Sequence, residues 1–274
     1  MPNDDPPRLH TNSQTLSLSF SSTLIQSSMR LAAPDELVLD YTRAMMGFLL
    51  LQPAPRHLLM IGLGGGSMLK YLHRHLPATA FTVVEISPAV IDLRNDFLVP
   101  PDGPRLRTVC DDGARFLRDR LRQPSERTDP STAPEPPEPP DPPFDVILVD
   151  GFDGAGLPAA LSTRRFYEDC RAALSDDGVL VANVQADTAR TQEVRQRLGR
   201  AFGSKGGKGG GKLACVESDE GGNEVMLVTS SDAQARGSAD FEARWAALAP
   251  EHQATLAATS TRWQRALRKG LQLG

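Results

Sequence analysis

Little cysteine, no surplus of basic charge and no long apolar run characterise this sequence of 274 residues. Its three cysteines, Cys110, Cys170 and Cys215, lie far apart. They spell out neither a metal-ligand pair nor a disulfide framework, so a reducing cytoplasm is the simple setting. A net charge of −4 argues against nucleic acid as a partner and suits a pocket for a cationic substrate. The longest apolar piece, "AMMGFLLLQ", is too short to span a bilayer, so no membrane partner is expected. The opening "MPNDDPPRLH" has no charge-then-apolar order of a signal peptide. His73 and His75 point to different faces of a helix, and His10, His57 and His252 stand alone, so no metal site is expected. Lys70 is not in G-K-[ST] context, which argues against ATP hydrolysis.

What is present is a repeated rhythm. Residues 1–13 read as a disordered N-terminus and 14–33 as a short β-hairpin. A helix is expected over "PDELVLDYTRAMMGFLLL", with Pro34 and Asp35 in its first turn. Apolar strands then alternate with helices: "HLLMIGL", "AFTVVEI", "LRTVCDD", "FDVILVDGF", "GVLVANVQ" and, last, "EVMLVTSS". Nearly all-apolar strands in βα units imply an α/β fold, a parallel sheet covered by helices on both faces. That catalytic domain is expected over 34–232. It carries a proline-rich loop at 123–143 and a Gly/Lys loop at 203–212, and C-terminal helices at 233–274 are anchored by Trp245 and Trp263.

The stretch "MIGLGGGSMLKYL" ends a strand in glycines and begins a helix. Gly62, Gly64, Gly65 and Gly66 let backbone N–H groups approach a ligand closely. At the end of the second strand, Glu85 can accept hydrogen bonds from ribose hydroxyls. Asp112, or its neighbour Asp111, ends the third strand where an adenine amino group can be bound. The knot reads G-x-G-G-G, not the dinucleotide fingerprint G-x-G-x-x-G. With an acid on the third strand, it suits an S-adenosyl compound on a class I methyltransferase-like (Rossmann-like) sheet. The fourth strand ends "VDGFDGAGLP", where Asp150 and Asp153 make a site for an amine: one carboxylate takes a proton, the other holds the nucleophile. Asn183 and Gln185, at the end of the fifth strand, are within reach of such an acceptor.

Together these parts resemble the spermidine synthase (polyamine aminopropyltransferase) family. The likeness runs from about Ser27 to Ser230 through "SSMRL", "PDELVLDYTRAMM", "LLMIGLGGGSMLKYL", "VVEISPAVI", "CDDGARFL", "FDVILVDGFDGAGLP", "STRRFYEDCRAAL" and "DDGVLVANVQ". The resemblance implies decarboxylated S-adenosylmethionine as co-substrate, without a metal. It implies Glu85 on the ribose, Asp112 on the adenine, Asp150 as base, Asp153 and Tyr41 lining the amine site, and a homodimer. There are departures. The family's G-G-G-D-G-G has Gly65 in place of its aspartate, which grips the donor's amino group. The glutamate of the family's Y-[HQ]-E segment is missing, and Arg43, two residues after Tyr41, brings a positive charge instead. An arginine there suits the carboxylate of ordinary S-adenosylmethionine. Methyl or other group transfer on the same scaffold, and a non-catalytic nucleoside-binding relative, therefore stand as alternatives to aminopropyl transfer.

Overall fold

The computed structural model describes residues 6–20, 25–122, 141–152, 156–186, 188–203, 210–219, 222–230 and 241–272. At the front lie β1 (Arg8–Thr11), β2 (Thr15–Ser19) and β3 (Ile25–Arg30), one antiparallel sheet in that order. The expected hairpin is thus β2–β3, and a third strand comes from the segment read as disordered. "RLHT" carries little apolar signal because all four of its side chains are exposed; its backbone pairing with Ser17–Ser19 and Leu16 makes it a strand.

The next helix is shorter than expected. Only α1 (Asp40–Met45) and a 3-10 turn (Met46–Leu50) are helical. The start of the segment is held instead by a bridge between Arg30 and Ala33. The carbonyls of Leu37 and Val38 are occupied by the Arg43 guanidinium, at 2.8 and 2.7 Å.

The main unit follows the expected alternation: β4 (His57–Ile61), α2 (Ser67–His75), β5 (Ala80–Glu85), α3 (Pro88–Asp92), β6 (Leu106–Cys110), α4 (Gly113–Leu121), β7 (Phe144–Val149), α5 (Arg164–Ala173), β8 (Leu174–Gln185) and α6 (Thr188–Phe202). Local chemistry sets several helix starts. Ser87, Asp112 and Thr163 accept the N–H of Val90, Arg115 and Phe166, and Pro88 sits at a first helical position. β9 (Lys212–Glu217) and β10 (Asn223–Thr229) follow. Three short helices, α7 (Phe241–Ala247), α8 (Pro250–Leu256) and α9 (Ser260–Lys269), precede β11 (Leu271–Gln272).

The eight-stranded sheet has the order β11-β9-β10-β8-β7-β4-β5-β6. Strands β8, β7, β4, β5 and β6 are parallel, and β10 enters antiparallel to β8. Alternate side chains feed two cores. Leu58 and Met60 point into one, Leu59 and Ile61 into the other. Burial on both faces is why these strands read as unbroken apolar runs. No helix among the described residues is long and apolar enough to cross a membrane.

The C-terminal helices are fastened at two points. Trp263 is fully buried, donates to the Ala44 carbonyl at 3.0 Å and lies against Gly47, where a Cβ would fall 2.3 Å from its ring. Arg262 forks onto Asp40, 3.0 Å to each carboxylate oxygen. The same guanidinium bonds the Glu217 carbonyl and pairs with Asp219.

Candidate active site

The C-terminal ends of β4, β5, β6 and β7 share one edge of the sheet, and from β4 the strand order runs in opposite directions across the sheet, β5 and β6 to one side, β7 and β8 to the other. Open α/β sheets bind ligands at such a switch point. A cavity of about 550 Å³ lies there. It is walled by Gly62, Leu63 and Gly64 after β4, Glu85 and Ile86 at the end of β5, Asp111 to Gly113 after β6, Asp150 to Phe152 after β7, and Tyr41 of α1. Phe20, Gln26 and Ser27 close it from the front sheet. Nothing local in "FSSTLIQSS" marks those last three; they reach the cavity only because the front sheet folds over the glycine turn.

The glycines divide by role. Gly62 has φ +95°, and a Cβ there would fall 2.3 Å from the Asp150 carbonyl oxygen. The close approach of the β4 and β7 ends therefore requires glycine. Gly62→Ala is expected to lower stability by about 2 kcal/mol or more through strain and this clash; a thermal melt equal to wild type would contradict it. Gly64 also lines the cavity, whereas Gly65 and Gly66 are absent from its wall. They face Ser27 with Phe97, and Val99. Of the four glycines expected at the ligand, two border this cavity. Gly65 is there because a Cβ would meet Ser27 Oγ at 2.6 Å and the Phe97 ring at 2.8 Å.

Glu85 is almost fully buried and accepts N–H groups from Leu63 at 2.8 Å and Ser87 at 2.9 Å. Burial raises its pKa above the usual carboxylate value; the N–H donors of Ser87, Leu63, Ile86 and Gly64 oppose the rise. Asp112 caps α4 through the Arg115 N–H at 2.7 Å, and Asp111 accepts from the Asp112 N–H and Arg115 Nε, each at 2.6 Å. Both acids border the cavity, so the wall accommodates either as the ligand's partner.

Asp150 is the chemically distinctive group. Its N–H donates to the Ile61 carbonyl at 2.8 Å, which fixes the backbone at the strand end. Asn183 Nδ2 donates to its Oδ1 at 2.9 Å, and Tyr41 Oη donates toward its Oδ2 at 3.4 Å and toward the Gln26 carbonyl at 3.2 Å. Burial pushes the Asp150 carboxyl up to about 6, despite the pull of Asn183 and Tyr41 toward ionisation. A carboxylate poised there can gain and lose a proton near neutral pH. Tyr41, Asp150 and Asn183 thus come together from three distant parts of the chain. Asp153 lies outside the described residues, as does most of the proline-rich segment.

Arg43 does not border the cavity: its guanidinium is taken up by the Leu37 and Val38 carbonyls and Asp40. Cys110 is exposed and Cys170 is buried. The described cavity wall carries Glu85, Asp111, Asp112 and Asp150 and no lysine, arginine or histidine. Among the described residues no group of His, Cys, Asp and Glu is arranged to hold a metal ion.

Residues 38–203 match the family described as "Spermine/spermidine synthase domain". The chain is 40% identical over 217 residues to a polyamine aminopropyltransferase of Neisseria meningitidis serogroup A, covering 78% of this chain and 72% of the relative. The fold is similar to that of a probable spermidine synthase from Corynebacterium glutamicum, with TM-score 0.61 at 19% identity over 88% of this chain and 84% of the other. It is also similar to a spermidine synthase in complex with the transition-state analogue AdoDATO, with TM-score 0.59 at 19% identity over 90% and 75%.

Proposed function

Since the chain belongs to the spermine/spermidine synthase family, we propose that it transfers an aminopropyl group from decarboxylated S-adenosylmethionine to an amine such as putrescine. The observation that carries this reading is the charge of the cavity wall, with four carboxylates and no cation among the described residues. Both reactants are cations: the donor bears a sulfonium and a terminal ammonium, the acceptor one or two ammonium groups. A carboxylated donor brings an anion with no cationic partner on that wall. The support that Arg43 lent to methyl transfer falls away with its engagement by backbone carbonyls.

In this reading Glu85 holds the ribose and Asp111 or Asp112 the adenine. An alkylammonium has a pKa of roughly 10 and is no nucleophile until it loses a proton. Asp150 takes that proton. The nitrogen lone pair then forms a bond to the carbon next to sulfur as the C–S bond breaks. Sulfur keeps the electron pair and methylthioadenosine leaves. Holding the two reactants in line supplies much of the remaining rate. Gly65 provides no carboxylate for the donor's ammonium; Ser27, Ser67 and Gln26 offer neutral oxygens at that end.

Titration of the purified protein with decarboxylated S-adenosylmethionine, S-adenosylmethionine and methylthioadenosine tests the proposal. The decarboxylated donor is expected to bind at least about tenfold more tightly than the carboxylated one, a difference of about 1.4 kcal/mol. Methylthioadenosine should form when putrescine is added. Tighter binding of the carboxylated donor would reverse the assignment.

A further inference from the structure

Asn183 is 1% exposed and does not border the cavity, yet it contacts the group assigned as base. It sits near the end of β8, between β7 and β10, and pairs with Val225. Its backbone is therefore held in the sheet, while that of Asp150 is held to Ile61. The side-chain amide spans the gap, with Nδ2 at 2.9 Å from Asp150 Oδ1. Its own Oδ1 is buried with no hydrogen-bond partner. A buried acceptor without a donor is unfavourable. The turned amide would be worse, because it would set an oxygen against the Asp150 carboxylate. The orientation thus follows from the chemistry of its neighbour.

We propose that Asn183 is a positioning residue: by holding Oδ1 of Asp150, it presents Oδ2, beside the Tyr41 hydroxyl, as the atom that receives the amine proton. The proposal rests on the reading of Asp150 as base. Oδ2 suits the role because Tyr41 approaches it only at 3.4 Å and shares its hydroxyl hydrogen with the Gln26 carbonyl. Oδ1 is turned toward Asn183, away from the reactants. An ammonium N–H beside Tyr41 then passes its proton to Oδ2, and the freed lone pair attacks the donor carbon.

The test uses the full chain with Asn183→Leu and Asn183→Asp, both close in size to asparagine. The readouts are kcat and kcat/KM for putrescine across pH 5–9, with methylthioadenosine affinity reporting an intact donor site. Asn183 donates to the ionised form of Asp150, so its loss favours the protonated form. The acid limb of kcat/KM is expected to move up by about one pH unit in Asn183→Leu and further in Asn183→Asp, where a second carboxylate adds repulsion. kcat should fall about 10–100-fold while methylthioadenosine affinity stays within about twofold. A merely structural role lowers activity equally at all pH values. An unmoved acid limb in both variants overturns the proposal. If Asp150→Asn itself keeps wild-type turnover, the base assignment falls and the proposal falls with it. If Asp150→Asn is inactive while the Asn183 limb is unmoved, the proposal falls alone.

Discussion

Asp150→Asn is expected to lower kcat by about three orders of magnitude and, at pH 7.5, to raise the melting temperature. The first effect follows from the amine. With a pKa near 10, only on the order of one acceptor in 10³ is neutral at that pH in solution. An asparagine accepts a hydrogen bond but takes no proton. The second effect follows from burial. The Asp150 carboxyl rises from 3.8 to about 6, so the folded chain binds its proton more tightly than the unfolded chain. As pH climbs from 3.8 through 6 the unfolded state ionises first, and the fold loses stability over that window. Above it the full penalty of roughly 3 kcal/mol applies. Removing the charge relieves this, by about 5–10 °C in a domain of this size. Well below 3.8 both states are protonated and the gain should vanish. Unchanged turnover, or an equal gain at pH 4 and 7.5, would count against the assigned role. A variant that gains stability as it loses activity identifies a group retained for chemistry.

Arg262→Met is expected to cost about 3–5 kcal/mol, because it leaves Asp40 ionised inside the protein without its fork of two donors. Asp40 is 2% exposed and takes one N–H from each arm of the guanidinium. Burial opposes its charge; hydrogen bonds from Arg262 and the Asp219 N–H, with the charges of Arg262 and Arg43, outweigh that and hold its pKa below the ordinary value. Its stabilising share is thus present above the unfolded pKa and lost as pH falls through the folded one. The melting temperature should drop by about 10 °C at neutral pH. The pair Asp40→Leu with Arg262→Met should recover more than half of the loss, since it removes the buried carboxylate together with its main cation and leaves Arg43 on the Leu37 and Val38 carbonyls. A double variant as unstable as the single one would show that the fork contributes through packing alone.

The sequence displayed the βα alternation because parallel strands covered on both faces must be apolar throughout. The run "HLLMI" could hardly be read otherwise. Acids at successive strand ends were legible for a related reason: Glu85, Asp111 and Asp150 directly follow or end such runs. What stayed hidden depends on distant contacts or on packing behind the wall. "KLACVE", which begins at the last residue of the glycine-lysine spacer, has no marked pattern of its own, and its pairing with β10 and β11 makes it a strand. Gly65 belongs to the same glycine run as Gly62, yet Ser27 and Phe97 decide that it faces away from the cavity. Arg43 looks like an anion site until local carbonyls are seen to take its N–H groups. The meeting of Asn183 with Asp150 needs β7 and β8 as neighbours, which no local pattern encodes.

The Arg262–Asp40 fork spans 222 residues of chain. During synthesis, α1 with Tyr41 leaves the ribosome long before the arginine that secures it. The glycine turn and the first parallel strands can assemble while the segment bearing Arg262 is still untranslated. Until α9 docks, Asp40, at the start of the helix bearing Tyr41, lacks its Arg262 fork. A growing chain can therefore build the strands around Asp150 before this brace on the Tyr41 helix forms.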